Sequence, residues 1–251
     1  MIDALVMVIP GFLACALASS VAAAWLRRGP TDSLPVALLR LTNDFYMKWF
    51  HRSRWCPLKS PIPLDGPALI VANHRSYLDP LAICVSTKRL IHFLMAREYH
   101  EMRGMRWMFR LAATIPVNRD GNDLGATKAA LRVLQDGGVI GIFPEGGIRA
   151  SGEDESENGK AGVALLALRT GAPVIPAYIS GTPACDSLLR AILSRSSPHV
   201  RYGEPLHLGS GKKRKLTREE IESAARSILA SVYALRFEQE AAADPARTLT
   251  P

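Results

Sequence analysis

The stretch ALIVAN, residues 68–73, contains no charged residue and opens the most regular part of the sequence. Residues 138–143 (GVIGIF) and 173–179 (PVIPAYI) follow the same pattern. Short continuous apolar runs of this kind are typical of strands that are buried on both faces of a parallel sheet. Stretches with helical spacing lie between and after them, at 127–134, 161–168 and 217–237. This alternation predicts an α/β fold with a single mixed, largely parallel sheet flanked by helices.

The composition sets the class of protein and of partner. The chain has 251 residues, 48% apolar and 22% charged, which is ordinary for a globular protein and excludes a disordered or fibrous architecture. Lys and Arg number 31 against 23 Asp and Glu, so the net charge is +8. That balance favours an anionic partner: a nucleic acid, a phosphorylated substrate or an anionic membrane. The four cysteines form no C-x-x-C pair, so we expect neither a zinc site nor a redox motif.

The N-terminal segment, residues 1–28, carries a run without charge over residues 4–26 that ends at Arg27 and Arg28. As a helix, these 23 residues would span about 35 Å, enough to cross a hydrocarbon core of about 30 Å. We therefore expect an uncleaved transmembrane or membrane-inserted helix before the sheet, with the Arg pair and all that follows in the cytoplasm. A cleaved signal peptide is the alternative, but the first residues carry Asp3 and no Lys or Arg.

Residues 29–60 are expected to connect this segment to the main domain. Within them, residues 34–50 place apolar side chains three or four positions apart, which predicts an amphipathic helix. Such a helix is suited to lie on a lipid headgroup layer, and packing of its apolar stripe on the following domain is an equal alternative. The main domain is predicted at 61–240, and residues 241–251 are predicted to be a flexible tail.

Several common functional motifs are absent from the sequence. There is no P-loop, no glycine-rich dinucleotide loop after a strand, no H-E-x-x-H and no G-x-S-x-G nucleophile turn. No histidine has another within five residues, so we expect no bound metal. The basic run GKKRK at 211–215 lacks interleaved aromatic residues, which disfavours nucleic-acid binding.

The first candidate site follows the apolar run at 68–73. Residues 71–80 read VANHRSYLDP, so the strand ends at His74 and Asp79 comes five positions later. Neither a strand nor a helix puts positions i and i+5 on one face, but a turn between them would bring the two side chains together. A carboxylate that accepts from one ring nitrogen leaves the other nitrogen as a base. The structural alternative is that Asp79 caps a helix that begins with the following proline.

Three further segments contain apolar strands, and the first two of them end with groups suited to an anion. They are IPVNRDG (115–121), IFPEGGIRASG (142–152) and PVIPAYISGT (173–182). Glycine amides and arginine side chains are typical ligands of phosphate, and ligands of open α/β sheets bind at the carboxyl ends of the strands. The segments therefore predict an anion site next to a proton acceptor. The candidate anion ligands are Arg119, Gly146, Gly147 and Arg149. Glu145 cannot bind phosphate itself but would orient an arginine or a substrate hydroxyl, and the last segment is noted for its proline, Pro176.

These four segments, in this order, resemble the four sequence blocks of the glycerophospholipid acyltransferases, the family of 1-acylglycerol-3-phosphate acyltransferases. The resemblance covers about residues 70–185, and its most specific part is N-H-x-S-x-x-D, here from Asn73 to Asp79. It implies that His74 is the catalytic base and Asp79 its partner. It also implies substrate binding by Arg119, Glu145, Gly146, Gly147 and Arg149.

The third block departs from the family's pattern. It continues Gly147-Ile148-Arg149 where the family has Thr-Arg-Ser, so the arginine comes one position late. Related acyltransferases that act on other lysophospholipids also vary at this point. The headgroup of the acceptor therefore stays open.

The resemblance implies an O-acyltransferase of phospholipid biosynthesis. It would transfer a fatty acyl group from acyl-CoA or acyl carrier protein to the free hydroxyl of a lysophospholipid, foremost 1-acylglycerol 3-phosphate, giving phosphatidic acid. We expect no cofactor, no metal and no nucleic acid, a membrane-lipid partner, and a location at a bacterial-type inner membrane with the catalytic domain on its cytoplasmic face. The alternatives are an acyltransferase for another lysolipid, a thioesterase or lipid hydrolase, and a non-catalytic lipid-binding protein.

Overall fold

The computed structural model describes residues 33–56, 60–118, 123–148, 157–183, 187–209 and 215–243, and the chain divides into two compact units, 1–42 and 43–251. Helix α1 (Leu34–Phe45) continues into a π-helical stretch (Tyr46–Phe50), which confirms the helix predicted at 34–50. No helix formed by the described residues is both long and apolar enough to cross a bilayer. The membrane segment predicted at 1–28 lies outside those residues.

The second unit contains a seven-stranded sheet, counted over the described residues, in the order β1-β7-β6-β2-β5-β3-β4. Neighbouring strands are parallel except for β6 and β7, which confirms the mixed, largely parallel sheet. The three strands expected from the apolar runs are β2, β5 and β6. The strands are β1 (Arg54–Cys56), β2 (Ala68–Ala72), β3 (Ile91–Ala96), β4 (Ile115–Val117), β5 (Val139–Ile142), β6 (Val174–Ser180) and β7 (His199–Tyr202).

Helices lie between most of these strands, as the alternating sequence pattern predicts. The helices expected at 127–134, 161–168 and 217–237 are α5, α6 and α8, and each is longer than its pattern. Thr217 and Glu220 form a capping box at the start of α8: the Glu220 amide donates to Thr217 Oγ1 (3.2 Å) and the Thr217 amide to Glu220 Oε2 (2.9 Å). The helices of the second unit are α2 (Asp79–Cys84), α3 (Arg97–His100), α4 (Arg106–Leu111), α5 (Leu124–Gln135), α6 (Glu157–Thr170), α7 (Leu188–Leu193) and α8 (Arg218–Ala243).

Strand β2 lies at the centre of the hydrophobic core, and all five of its residues are buried. Successive side chains of a strand point to opposite faces of the sheet, so Leu69 and Val71 join one apolar cluster and Ile70 joins another. The first cluster includes residues of α5, α6 and α8, and the second includes residues of α2. Helices therefore cover both faces, which explains why β2, β5 and β6 are apolar throughout.

The parallel strands direct the chain repeatedly to one edge of the sheet. Because β2, β3, β4 and β5 run in the same direction, their carboxyl ends lie at the same edge, where the sequence places its candidate groups. β5 is next to β2, whereas β4 is three positions away, roughly 14 Å at about 4.8 Å per strand. The residues after β2 and β5 are thus direct neighbours, and those after β4 are more distant.

Candidate active site

The turn after β2 brings His74 and Asp79 together. The Nδ1 atom of His74 lies 3.0 Å from Oδ2 of Asp79, and the His74 side chain is 15% exposed while that of Asp79 is fully buried. An Nδ1–H that donates to the carboxylate places the lone pair of the imidazole on Nε2. No described residue hydrogen-bonds to that nitrogen, so it has the form required of a base.

The Asp79 carboxylate also organises the turn itself. Its Oδ2 atom accepts hydrogen bonds from the backbone amides of Arg75 (2.7 Å) and Ser76 (2.8 Å). Asp79 is the first residue of α2, yet these contacts reach back into the preceding turn. The charge-assisted bonds compensate for burial of the carboxylate and fix the position from which it holds His74. The alternative in which Asp79 serves mainly as a helix cap does not describe these contacts.

Asn73 fixes the start of the same turn. Its side-chain amide donates from Nδ2 to the Ile179 carbonyl (2.9 Å), and its Oδ1 accepts from the Ile179 amide (2.7 Å). Ile179 belongs to β6, which pairs with β2 as far as Ala72 and Ala177. The asparagine therefore adds one side-chain rung to the ladder of backbone bonds, immediately before the chain turns at His74.

Glu145, two residues after Phe143 on the neighbouring strand end, contacts the backbone of His74. Oε2 of Glu145 accepts from the His74 amide (3.2 Å), and Oε1 accepts from the Tyr233 hydroxyl (3.1 Å). One carboxylate thus bridges the turn at His74 and helix α8. This geometry gives Glu145 a part in positioning His74, in addition to the substrate binding that the sequence resemblance implies.

The imidazole of His74 stacks on Phe143, with ring centroids 4.1 Å apart and an angle of 17° between the planes. Phe143 in turn stacks on Phe93 of β3, at 5.7 Å and 7°. Phe93 lies across Gly141 of β5, where any Cβ atom would overlap the phenylalanine ring. Gly141 is therefore required by the close approach of Phe93, and the stack of three rings fixes the plane of the imidazole.

The glycines after Glu145 have different roles. Gly146 adopts a φ of +73°, which suits glycine, and its amide donates to the Phe143 carbonyl (3.1 Å). That bond closes the turn and occupies the Gly146 amide, so Gly147 is the better candidate of the two for an anion. Arg149, the arginine predicted to accompany them, lies outside the described residues. Pro176 lies within β6, opposite Val71 of β2.

Arg119 also lies outside the described residues, but the chain on both sides of it is well held. The Asp123 carboxylate accepts from the Asn118 amide (2.9 Å) through Oδ2 and from the Ala126 amide (2.9 Å) through Oδ1. These backbone donors, from Asn118 first and Ala126 next, hold the pKa of Asp123 below its usual value. The carboxylate thus caps α5 and fixes the end of β4 relative to it.

Sequence patterns did not identify two contributors to the site. Tyr233 lies 88 positions from Glu145, on a helix whose sequence carries no motif, so only the fold relates the two. The stacking of Phe143 on His74 joins two blocks that are far apart along the chain. Among the described residues, no group of three or more His, Cys, Asp or Glu side chains is placed to hold a metal ion.

The chain is similar to several known proteins. A profile of the Acyltransferase family matches residues 56–180, which include His74, Asp79 and Glu145 but not Tyr233. The 1-acyl-sn-glycerol-3-phosphate acyltransferase of Streptococcus pneumoniae is 28% identical over 65% of this chain, which spans 58% of that protein's length. The Bacillus subtilis protein of the same name is 25% identical over 59% of this chain and 71% of its own length.

The fold is also similar to that of a solved structure. The crystal structure of the 1-acyl-sn-glycerophosphate acyltransferase PlsC from Thermotoga maritima superposes with a TM-score of 0.58 and 22% identity, covering 80% of each chain. That likeness concerns the fold alone. The family is assigned from the profile and from the similar sequences. The chain belongs to the glycerophospholipid acyltransferase family.

Proposed function

We propose that the chain is an O-acyltransferase that moves a fatty acyl group from a thioester to the free hydroxyl of a lysophospholipid. The donor is acyl-CoA or acyl carrier protein. The foremost acceptor is 1-acylglycerol 3-phosphate, the substrate in the names of two similar proteins, and the product is then phosphatidic acid. The observation that carries the proposal is the 3.0 Å contact of His74 Nδ1 with Asp79 at an edge where the ring remains partly exposed.

The reaction needs a base more than it needs a nucleophilic side chain. His74 Nε2 removes the hydroxyl proton of the acceptor while that oxygen attacks the thioester carbonyl carbon. The tetrahedral intermediate then expels the thiolate, which takes the proton from the imidazolium. Asp79 holds the required tautomer and stabilises the charged imidazolium between the two steps. General-base catalysis of this kind contributes a factor of about 10²–10⁴ to the rate.

We further propose that the phosphate of the acceptor is held by the Arg119 and Arg149 guanidinium groups and the Gly147 amide. A net charge of +8 agrees with an anionic substrate. Replacing Arg119 by Ala should raise the KM of the acceptor more than that of the donor, in steady-state assays that vary each substrate separately. A larger rise for the donor would remove Arg119 from the phosphate site.

The proposed location is the cytoplasmic face of a membrane, since both the acceptor and the product are lipids. Large apolar side chains along α1 and the π-helical stretch are exposed, in agreement with contact with a headgroup layer. They are Leu34, Leu38, Leu41, Phe45 and Trp49. We propose that residues 1–28 add a membrane-inserted segment, and that the domain boundaries lie near residues 28, 60 and 240.

The decisive experiment offers the purified full chain a panel of lysophospholipids with different headgroups, each with acyl-CoA or with acylated carrier protein. Products are identified by mass spectrometry, and a donor-only arm measures hydrolysis to free fatty acid. His74→Ala should lower acyl transfer about 10²–10⁴-fold. His207→Ala removes an exposed histidine and serves as the matched control.

Retained transfer by His74→Ala would refute the assignment of the base. Release of fatty acid that does not depend on any lysolipid would indicate a thioesterase instead. Phospholipid binding without turnover on any pair of substrates would indicate a non-catalytic lipid-binding protein.

A further inference from the structure

The segment from residue 102 to residue 113, which contains α4, is apolar and cationic but has no buried side chain. It reads MRGMRWMFRLAA, with three arginines and no carboxylate. Trp107 is 66% exposed, and every residue of the segment is exposed or half-buried. Helices of soluble domains are normally stabilised by burying an apolar face. Helix α4 carries tryptophan, phenylalanine and methionine but buries none of them. Its apolar surface is therefore available for contact with a partner.

The segment follows helix α3, which contacts the turn between His74 and Asp79. Helix α3 begins directly after β3, at the edge of the sheet where His74 and Glu145 lie. The hydroxyl of Tyr99 on α3 lies 3.3 Å from that of Tyr77, and the two rings meet edge to face with centroids 5.9 Å apart. Because Tyr77 belongs to the turn between His74 and Asp79, α3 connects α4 to the site.

The charges of the segment select one kind of partner. Arg103, Arg106 and Arg110 are all exposed, and none of them pairs with a carboxylate among the described residues. The nearest acidic residue before the segment, Glu101, lies 3.6 Å from Arg97. Exposed arginines around an exposed tryptophan match an anionic bilayer surface, where indole rings lie at headgroup level and guanidinium groups meet phosphates.

We propose that α4 docks on the headgroup layer of an anionic membrane, with Trp107 inserted at the interface and Arg103, Arg106 and Arg110 on lipid phosphates. This contact lies in the second unit and adds to any contribution from residues 1–28. It rests on the proposed function in one respect: because α3 joins α4 to the turn that carries His74, docking would keep that turn near the surface from which a lysophospholipid arrives. The bilayer is the partner whether or not the lipid bound is itself a substrate.

The first test measures binding of the full chain to vesicles of phosphatidylcholine alone and with added phosphatidylglycerol, by co-sedimentation in the absence of an acyl donor. The variant Arg106→Gln/Arg110→Gln should lower the partition coefficient on the anionic vesicles by roughly 30-fold, at the strength usual for two basic residues near such a surface. The matched control, Arg132→Gln/Arg169→Gln, removes two exposed arginines from the last turns of α5 and α6, which lead to the opposite edge of the sheet.

The second test locates Trp107 directly. Phospholipids brominated along their acyl chains quench tryptophan fluorescence on insertion, so the full chain should lose part of its emission on such vesicles. The test uses a Trp25→Phe/Trp49→Phe background, because the proposed function also places these two residues at the membrane. In that background Trp107→Phe should remove the quenched component, and Trp55→Phe, which changes a half-buried tryptophan of β1, should leave it in place.

Equal binding by the two double arginine variants, or quenching that survives Trp107→Phe in the background without Trp25 and Trp49, would overturn the proposal. An equal loss of binding on neutral and anionic vesicles would also overturn it, because the docking would not then depend on lipid charge. Since neither assay contains a donor, both results stand independently of acyl transfer. Failure of the acyl-transfer assay on detergent-dispersed lysolipid would count against the proposed function alone.

Discussion

The turn at residues 73–79 and the segment at 102–113 are built in opposite ways. In the turn, Asn73, His74 and Asp79 each have named partners, and the central carboxylate is fully buried. In the segment, no side chain is buried and the arginines project without ion pairs to the described residues. The first is fixed by interior contacts, whereas the second is available for contacts outside the molecule.

Under the proposed function, the difference separates two tasks. Proton transfer requires groups held within a few tenths of an ångström, which polar contacts inside the protein provide. Attachment to a fluid surface requires only charge and exposed apolar area, and it tolerates a range of angles. We therefore expect changes in the turn or behind it to alter kcat, and changes in the segment to alter binding to membranes.

The largest effect should come from Asp79→Asn. Asparagine can keep part of the turn's hydrogen bonds, but it is neutral and no longer stabilises the imidazolium or selects the tautomer of His74. We expect kcat to fall about 10²–10⁴-fold with the KM values little changed, in steady-state assays of acyl transfer.

The matched control for this variant is Asp136→Asn, which neutralises an exposed carboxylate at the end of α5. Thermal unfolding of both variants would show whether the chain still folds. A folded Asp79→Asn protein with kcat close to that of the parent would mean that the fixed turn is not the reacting part of the edge.

A smaller effect is expected from Gly141→Ala, which acts on the stack of rings behind His74. The new methyl group must displace Phe93, and Phe93 supports Phe143 under the imidazole. Overpacking of this kind costs about 1–3 kcal/mol of stability, and a misplaced base costs up to about 10²-fold in kcat.

Gly162→Ala is the matched control, because a Cβ atom there meets nothing within 4 Å and α6 should gain slightly from alanine. The double variant Gly141→Ala/Phe93→Leu sharpens the test by restoring space without restoring the stack. Recovery of stability together with full kcat would show that the stacked rings do not position the imidazole.

Tyr233→Phe should have a moderate effect, through Glu145. The tyrosine is a positioning residue: without its hydroxyl, the Glu145 carboxylate loses a donor at Oε1 and holds the His74 amide less firmly through Oε2. A hydrogen bond to a charged group contributes about 1.5–3 kcal/mol, so we expect kcat to fall about tenfold while the KM values for donor and acceptor stay within about twofold.

The division between kcat and KM distinguishes positioning of the base from substrate contact. Ser231→Ala is the control on the same helix. It removes a hydroxyl that donates to the Ser227 carbonyl, and it should leave kcat and both KM values unchanged. A rise in the acceptor KM without a change in kcat would instead assign Glu145 to the substrate.

The smallest effect concerns the pH dependence of stability, through a histidine that contacts the end of the segment at 102–113. His92 Nδ1 lies 3.0 Å from the Ala113 carbonyl, and burial lowers the pKa of His92 from its ordinary 6.5, although the carbonyl opposes this. The unfolded chain therefore binds a proton below about pH 6.5 that the folded chain resists, so the free energy of unfolding falls as the pH falls. Burial lowers the pKa of His51 and His199 in the same direction.

Urea unfolding of the parent and of His92→Asn between pH 7 and pH 5 tests this linkage. Asparagine can still donate to the carbonyl but does not titrate, so the variant should lose stability less steeply than the parent, with a difference below about 1.4 kcal/mol per pH unit. His207→Asn, at an exposed position, should follow the parent. Parallel curves for the parent and His92→Asn would contradict the lowered pKa.

The sequence predicted the centre of the fold better than its periphery. Strands β2, β5 and β6 are apolar throughout because both faces are covered, so their runs are visible without any tertiary information. The meeting of His74 and Asp79 was also predictable, since a turn of four residues between them suffices. Strand β3 alternates between buried and half-buried residues, and no pattern in the sequence distinguished it.

The contacts behind the base could not be predicted, because they join positions that are distant along the chain. Nothing near Tyr233 indicates that α8 passes Glu145, and nothing near Gly141 indicates that Phe93 lies across it. Such contacts depend on the order of strands in the sheet, which follows from the packing of the whole domain and not from local periodicity. The phosphate contacts of Arg119 and Arg149 stay predictions, because both residues lie outside the described part of the chain.

The side chain of Asn73 has a consequence for how such enzymes can diverge. This side chain bonds both the amide and the carbonyl of Ile179, and so extends the pairing of β2 with β6 beyond Ala72 and Ala177. The position of His74, the next residue, is therefore fixed by two central strands. The loops that contact a headgroup or a membrane can then lengthen, shorten or change charge without displacing the imidazole. Under the proposed function, acceptors with new headgroups could then be gained through changes confined to these loops.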